Sequence, residues 1–142
     1  MIKYLLDTNI VSNYQRNYAE IVQRVQSMAP EQYAISIITV EELLRGRFSQ
    51  VSSATKETSR IPALLYLHEQ INHLSDYIIL DYTDQAAALF AALRPHHRRM
   101  SSQDLRIATI ALHLNLTLVT RNVRDFAAIA GLAIADWTQP SA

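Results

Sequence analysis

The sequence predicts an α/β protein, a three-layer sandwich in which a central, mostly parallel sheet of four to five strands is flanked by helices. Short apolar runs alternate with longer segments of helical periodicity along the chain. The short runs are unbroken by polar residues, as strands are when helices cover both faces of a parallel sheet. The chain has 142 residues and only two glycines, which favours a single domain over residues 1–142 and argues against a turn-rich β-sandwich.

The first half of the chain predicts two strands and three helical regions. Lys3 to Leu6 is apolar enough for a strand, and helical spacing from Thr8 continues towards Pro30. The β-branched run 33–38 predicts the second strand, followed by a helix that starts at Thr39. The segment 53–77 has an apolar face at helical spacing, with Pro62 near the predicted start of the helix.

The second half predicts three further strands and three further helices. The strands are expected at 77–80, at 116–120 and within 132–137. One helix begins at a Thr83 cap and ends near Pro95, and the next is capped by Ser101 or Ser102 and extends to about residue 114. A short helix over 122–130 is closed by Gly131.

The composition excludes several classes of protein. Thirteen basic residues balance thirteen acidic residues, so nucleic-acid contacts must come from local patches. Cysteine is absent, which excludes disulfides and thiolate metal sites. No apolar run approaches the ~20 residues of a membrane span, and the N-terminus does not have the pattern of a signal peptide, so we expect a soluble cytoplasmic protein that does not contact membranes.

Acidic residues recur where predicted strands pass into helices. Asp7 follows the first strand, and Glu42, Asp104 and Asp125 lie in the first turns of three later helices. Each has a structural explanation, because acids favour helix N-termini and the pairs Thr39–Glu42, Ser101–Asp104 and Asn122–Asp125 have the spacing of capping boxes. Asp81 and Asp84 occupy a similar context, so position alone does not define a site.

The combination of acids predicts more than any one of them does. The carboxyl ends of parallel strands share one edge of the sheet, where ligands of open α/β sheets bind. Three or four carboxylates meeting there repel one another, and either bound protons or a divalent cation must offset that repulsion. Oxygen ligands without cysteine suit Mg²⁺ or Mn²⁺, the ions of phosphoryl-transfer sites.

Four segments, in this order, resemble the PIN domain, and specifically the VapC-type toxins of bacterial toxin–antitoxin pairs. They are "LLDTN", "ITVEELLRG", "SSQDLRIATIALHLNLTLVTRNVRDF" and "GLAIADW", and they cover nearly the whole chain. The resemblance implies a Mg²⁺- or Mn²⁺-dependent endoribonuclease that a cognate antitoxin silences. It also implies a homodimer that can join a larger toxin–antitoxin complex.

The same resemblance implies a role for individual residues. The catalytic acids are Asp7, Glu42, Asp104 and Asp125, of which the first three hold the metal. Asn122 stands where some relatives carry an acid. The residues implied to orient the acids or the substrate are Thr8, Asn9, Thr120 and Asn122.

A basic segment precedes the Asp104 helix. Arg94, Arg98 and Arg99, with two histidines between them, are placed to guide an RNA backbone towards the acids. A solvated loop at a helix C-terminus explains the same charges equally well.

Two other functions remain open from the residues. One is a PIN-fold module that binds RNA or protein without catalysis, which the intact acids disfavour. The other is a phosphohydrolase with Asp7 as nucleophile. Such enzymes commonly carry a second acid two residues later, and here that residue is Asn9.

Overall fold

The computed structural model describes residues 1–140 and contains five strands and seven α-helices. The strands are β1 (Tyr4–Leu6), β2 (Tyr33–Ser36), β3 (Ile78–Leu80), β4 (Thr117–Val119) and β5 (Ile134–Ala135). The helices are α1 (Thr8–Gln15), α2 (Ala19–Gln26), α3 (Ile37–Ser53), α4 (Glu57–Leu74), α5 (Asp84–Leu93), α6 (Ser102–Leu114) and α7 (Val123–Phe126). Within residues 1–140, no helix is both long enough and apolar enough to cross a membrane.

All five strands are parallel, in the order β3-β2-β1-β4-β5. The predicted fold class is therefore confirmed. The chain moves outwards from β1 in both directions, so β1 and β4 lie at the switch point of the sheet. In open α/β sheets this is where ligands bind, beyond the carboxyl ends of the strands.

Each face of the sheet has its own apolar core. Leu5 and its β4 partner Leu118 face one side, where α5 and α6 cover them. Leu6 and its partners in β2 and β4 face the other side, together with residues of α1, α2 and α4. Trp137 is buried in this second core, where it packs edge-on against Tyr4 with ring centroids 5.1 Å apart. Side chains on both faces are buried, which explains why the strands are largely apolar; the polar residues Ser36 and Thr117 lie at strand ends.

Four predicted boundaries are wrong. The helical spacing predicted from Thr8 towards Pro30 is interrupted at 16–18, between α1 and α2, where Asn17 has a positive φ of 60°. β2 ends at Ser36 and α3 begins at Ile37, because Ser36 rather than Thr39 caps the helix by accepting a hydrogen bond from the Thr39 amide. The segment 53–77 is interrupted at 54–56, where the backbone is extended, so Pro62 lies inside α4 rather than near its start. The helix predicted over 122–130 is only α7, followed by turns that end at Gly131, whose φ of 82° suits glycine.

Candidate active site

The site is centred on Asp7, which the end of β1 delivers to the switch point. Its amide donates to the Val119 carbonyl of β4 at 2.9 Å, and its side chain caps the start of α1. One carboxylate oxygen accepts from the Thr8 amide, and the other accepts from the Thr120 hydroxyl, both at 2.8 Å. Only 3% of Asp7 is exposed, so these two bonds hold the carboxylate in one orientation.

Burial makes the ionised form of Asp7 unfavourable. It raises the pKa of the carboxyl from 3.8 to about 6, although the hydrogen bonds from Thr120 and Thr8 lower it. Repulsion from Asp104 and Glu42 is a smaller contribution to the same rise in pKa. The ion pairs within residues 1–140 are Arg45–Glu41 and Arg60–Glu57, so no basic side chain of this part of the chain neutralises Asp7.

Glu42, in α3, contacts Thr8, the residue after Asp7. Its carboxylate accepts from the Thr8 hydroxyl at 2.7 Å, so the expected capping box with Thr39 is not formed. Burial raises the pKa of Glu42, the Thr8 bond lowers it, and repulsion from Asp104 raises it again. Glu41 points elsewhere, accepting from Arg45 and from Gln103 of α6.

Three hydroxyls, those of Thr8, Thr39 and Ser36, form a chain of contacts that ends at the Glu42 carboxylate. The Thr8 and Thr39 hydroxyls are 2.9 Å apart, and a longer contact of 3.4 Å joins Thr39 to Ser36. An ionised carboxylate can only accept, so Thr8 gives its single proton to Glu42 and must accept from Thr39. Sequence reasoning gave Thr39 a different role and missed Ser36; a helix start read as Ser36-x-x-Thr39 would have indicated both.

Asp104 and Asp125 complete the group of acids. Asp104 lies in the first turn of α6, where its amide donates to the Ser101 hydroxyl at 3.1 Å. Burial raises its pKa, the Ser101 hydroxyl lowers it, and repulsion from Asp125 raises it again. Asp125 is exposed and accepts from the Asn122 side-chain amide at 2.7 Å, so Asn122 orients an acid rather than supplying one.

These couplings bring all four predicted acids into one electrostatic group. Asp104 raises the pKa of both Asp7 and Glu42, and Asp125 raises that of Asp104. Asp81 follows β3 at the edge of the sheet, with β2 between it and β1, and it does not join the group. Topology thus separates the clustered acids from the acids that merely follow a strand.

The acids fit a hydrated hard cation. Within residues 1–140, no group of three or more Asp, Glu or His side chains is arranged to hold a metal ion. Mg²⁺ does not require one, because it keeps several waters and binds through one or two carboxylates plus substrate phosphate. A buried carboxylate without a basic partner, whose pKa two further carboxylates raise, supplies that donor set.

A cavity of about 760 Å³ opens beside the acids. Its lining includes Asp104, Asp125 and Arg124 together with the basic segment 96–99, which contains Arg98 and Arg99. The segment therefore lies next to the acids, as expected.

Arg94 fixes the conformation of this segment by hydrogen bonds to it and to the residues that follow it. Its guanidinium donates to the carbonyls of His97 at 3.2 Å and Met100 at 2.6 Å, and to the Ser102 hydroxyl at 3.0 Å. Those contacts engage both terminal nitrogens of the side chain, so Arg94 shapes the segment instead of presenting its charge freely to a ligand.

Comparisons with known proteins agree on one family. The PIN domain profile matches residues 4–132. "Ribonuclease VapC1" of Haemophilus influenzae is 37% identical over 96% of this chain and 98% of that protein. "tRNA(fMet)-specific endonuclease VapC" of Salmonella typhimurium is 30% identical over 96% and 99%. One chain of a toxin–antitoxin complex from Klebsiella pneumoniae superposes with a TM-score of 0.71 and 27% identity, over 95% of this chain and 98% of that one.

Proposed function

The chain belongs to the PIN domain family and, within it, to the VapC-type ribonucleases; from this premise we propose that it is a Mg²⁺- or Mn²⁺-dependent endoribonuclease. The observation that supports this most is the buried Asp7, which lacks a basic partner and is coupled to two further acids, Asp104 and Glu42. The proposed substrate is RNA, which the protein would cut at phosphodiester bonds. We also propose that residues 1–142 form a single PIN domain and that the protein acts in the cytoplasm.

Asp7, Asp104 and Glu42 are the residues that would hold the ion. When bound, the ion supplies positive charge against the developing charge on the phosphate and makes an attacking water more acidic. Thr120 and the Thr8 amide keep both oxygens of Asp7 in place before substrate arrives. The Thr8 hydroxyl does the same for Glu42, so the donor set is preorganised and little reorganisation is needed during the reaction.

Asp125 is the proposed residue that orients the attacking water. It is exposed, beside Asp104, and its carboxylate is held by the Asn122 amide. Asn9 is exposed at the start of α1, and its proposed role is to contact substrate. Hydrolysis by water does not use the RNA 2′-hydroxyl as nucleophile, so we expect products that carry a 5′-phosphate.

The basic segment 96–99 is proposed to position the RNA backbone. Arg98 and Arg99 are exposed and line the cavity that also contains Asp104 and Asp125. Contacts between arginine and phosphate release counterions, so binding should weaken as salt rises.

A cognate antitoxin is the proposed protein partner. The similar Klebsiella pneumoniae structure is a toxin–antitoxin complex. In this chain α3 and α4 leave large apolar side chains exposed, and a surface of this kind is expected to be covered by a partner or a second copy. These side chains are Phe48, Ile61, Leu64, Leu65, Tyr66 and Ile71. We propose that they serve the antitoxin interface and a homodimer.

The experiment is RNA cleavage by protein purified free of antitoxin. Wild type should cut total RNA with Mg²⁺ or Mn²⁺ and not with EDTA, while Asp7→Asn and Asp104→Asn should be inactive. Asp81→Asn is the matched control, since it removes one exposed acid outside the group and should remain active. A wild type that cuts no RNA with any divalent ion, yet binds RNA, would favour the non-catalytic module instead.

A further inference from the structure

A second cavity, of about 430 Å³, flanks the acids without sharing a lining residue with the cavity of the basic segment. We call it the Arg16 cleft; it is lined by Asn9, Ser12, Asn13, Arg16, Arg121 and Asn122. The hydrogen bond from Asn122 to Asp125 joins the walls of the two cavities. The two cavities therefore adjoin at Asp125, one of the four acids.

The side chains that line the Arg16 cleft are suited to binding an anion. It contains two guanidinium groups, three side-chain amides and a hydroxyl, but no carboxylate. Both arginines are exposed, and neither takes part in the ion pairs formed within residues 1–140. Arginine without a carboxylate partner is well suited to binding phosphate oxygens.

A buried donor in the cleft wall lacks an acceptor. Asn13 is 3% exposed, and its amide nitrogen has no hydrogen-bond partner within residues 1–140. A buried unsatisfied donor costs about 1–3 kcal/mol, so such groups are normally satisfied by water or a ligand. This donor is independent of the two arginines and indicates an acceptor at the same place.

We propose that the Arg16 cleft binds a phosphate of the RNA strand on the side of the acids away from the basic segment. This inference rests on the proposed ribonuclease function and adds a second backbone contact to it. A chain with a negative charge on every unit can span two basic cavities and carry its middle phosphate over the acids between them. An acidic peptide is the other class of polyanion, and the binding test separates it from RNA.

The test compares two double variants that remove the same charge. Arg16→Gln/Arg121→Gln removes the cleft arginines. Lys3→Gln/Lys56→Gln removes two exposed lysines, one before β1 at the far end of the sheet and one before α4. Both are made in the Asp7→Asn background, and binding of a fluorescein-labelled single-stranded RNA is measured over a range of salt concentrations.

The arginine variant should reduce the slope of log affinity against log salt by about 0.7, the value expected when one phosphate contact on a single strand is lost. The lysine variant should leave the slope unchanged. In the active protein, loss of the two arginines should raise KM about tenfold and leave kcat within about twofold, because uniform binding is removed. Thermal unfolding of all variants checks that the fold is intact.

Equal slopes for the two double variants would overturn the assignment of the cleft. An equal loss of affinity for a polyglutamate peptide would also overturn it, since the cleft would then recognise any acidic chain. These outcomes are separate from failure of the proposed function, in which wild type cuts no RNA at all. The binding measurement does not require cleavage, so it tests the cleft in either case.

Discussion

Asp7→Asn should make the metal-free protein more stable while it abolishes activity. The carboxyl is buried and its pKa is raised from 3.8 to about 6. In the unfolded chain the carboxyl ionises near its ordinary pKa. At neutral pH it is ionised in the folded state as well, where burial makes the negative charge unfavourable. The amide of asparagine has nearly the same shape and no charge.

The size of the effect follows from the elevated pKa. One pKa unit corresponds to about 1.36 kcal/mol, so the ionised Asp7 lowers the free energy of unfolding by about 3 kcal/mol above pH 7. Asparagine offers the Thr120 hydroxyl a donor instead of an acceptor, which costs about 1 kcal/mol. The net gain is about 2 kcal/mol, or roughly 6 °C in Tm for a chain of this length.

The pH dependence has a definite sign. Between pH 3.8 and about 6 the folded state holds a proton that the unfolded state has released, so wild-type stability falls as pH rises through this window. At pH 4.5 the cost of Asp7 should be about 1 kcal/mol instead of about 3. The advantage of Asp7→Asn should therefore shrink by about 2 kcal/mol between pH 7.5 and pH 4.5.

The assay is urea unfolding of wild type and Asp7→Asn in EDTA at the two pH values, with Asp81→Asn as the control. The reasoning is refuted if Asp7→Asn is less stable than wild type at pH 7.5, or if the difference between the two proteins is the same at both pH values.

Three further predictions concern the residues around the acids. Thr120→Val removes a donor to Asp7 and should weaken Mn²⁺ binding about tenfold in a calorimetric titration; an unchanged affinity would contradict this role. Thr39→Val should disorient the hydroxyl that holds Glu42 and lower kcat about tenfold, with recovery in Thr39→Ser, whereas equal loss in both variants would indicate a packing defect. Arg94→Lys keeps the charge but loses the forked contacts, so it should destabilise the protein by about 1–3 kcal/mol without changing the salt dependence of RNA binding; a changed slope would make Arg94 an RNA contact.

The sequence predicted the sheet well because burial on both faces leaves a strong local signal. The strands over 4–6, 33–36 and 117–119 are short and mostly apolar, and helical periodicity follows each of them. The start of α3 was predicted two residues late because Ile37, Ile38 and Thr39 are β-branched and favour strands. Packing of Ile38 and Thr39 in the interior outweighs that propensity.

The arrangement of the acids depends on contacts that no local pattern contains. The bond from Thr120 to Asp7 joins residues 113 positions apart, and the bond from Thr8 to Glu42 joins residues 34 apart. Spacing suggested a capping box for Glu42, but Thr8, a half-buried threonine of another helix, donates to its carboxylate instead. Strand order, which separates Asp81 from the group, also cannot be read from the order of elements along the chain.

The most direct test of the account is the order of stability of wild type and Asp7→Asn with and without Mn²⁺. In EDTA, Asp7→Asn should unfold at the higher temperature. With Mn²⁺ at about 100 times its dissociation constant, binding should add about 2.7 kcal/mol to wild type and little to the variant, so the order should reverse. If Mn²⁺ raises the Tm of both proteins equally, the ion is not held by the buried carboxylate at the end of β1, and the proposed active site is wrong.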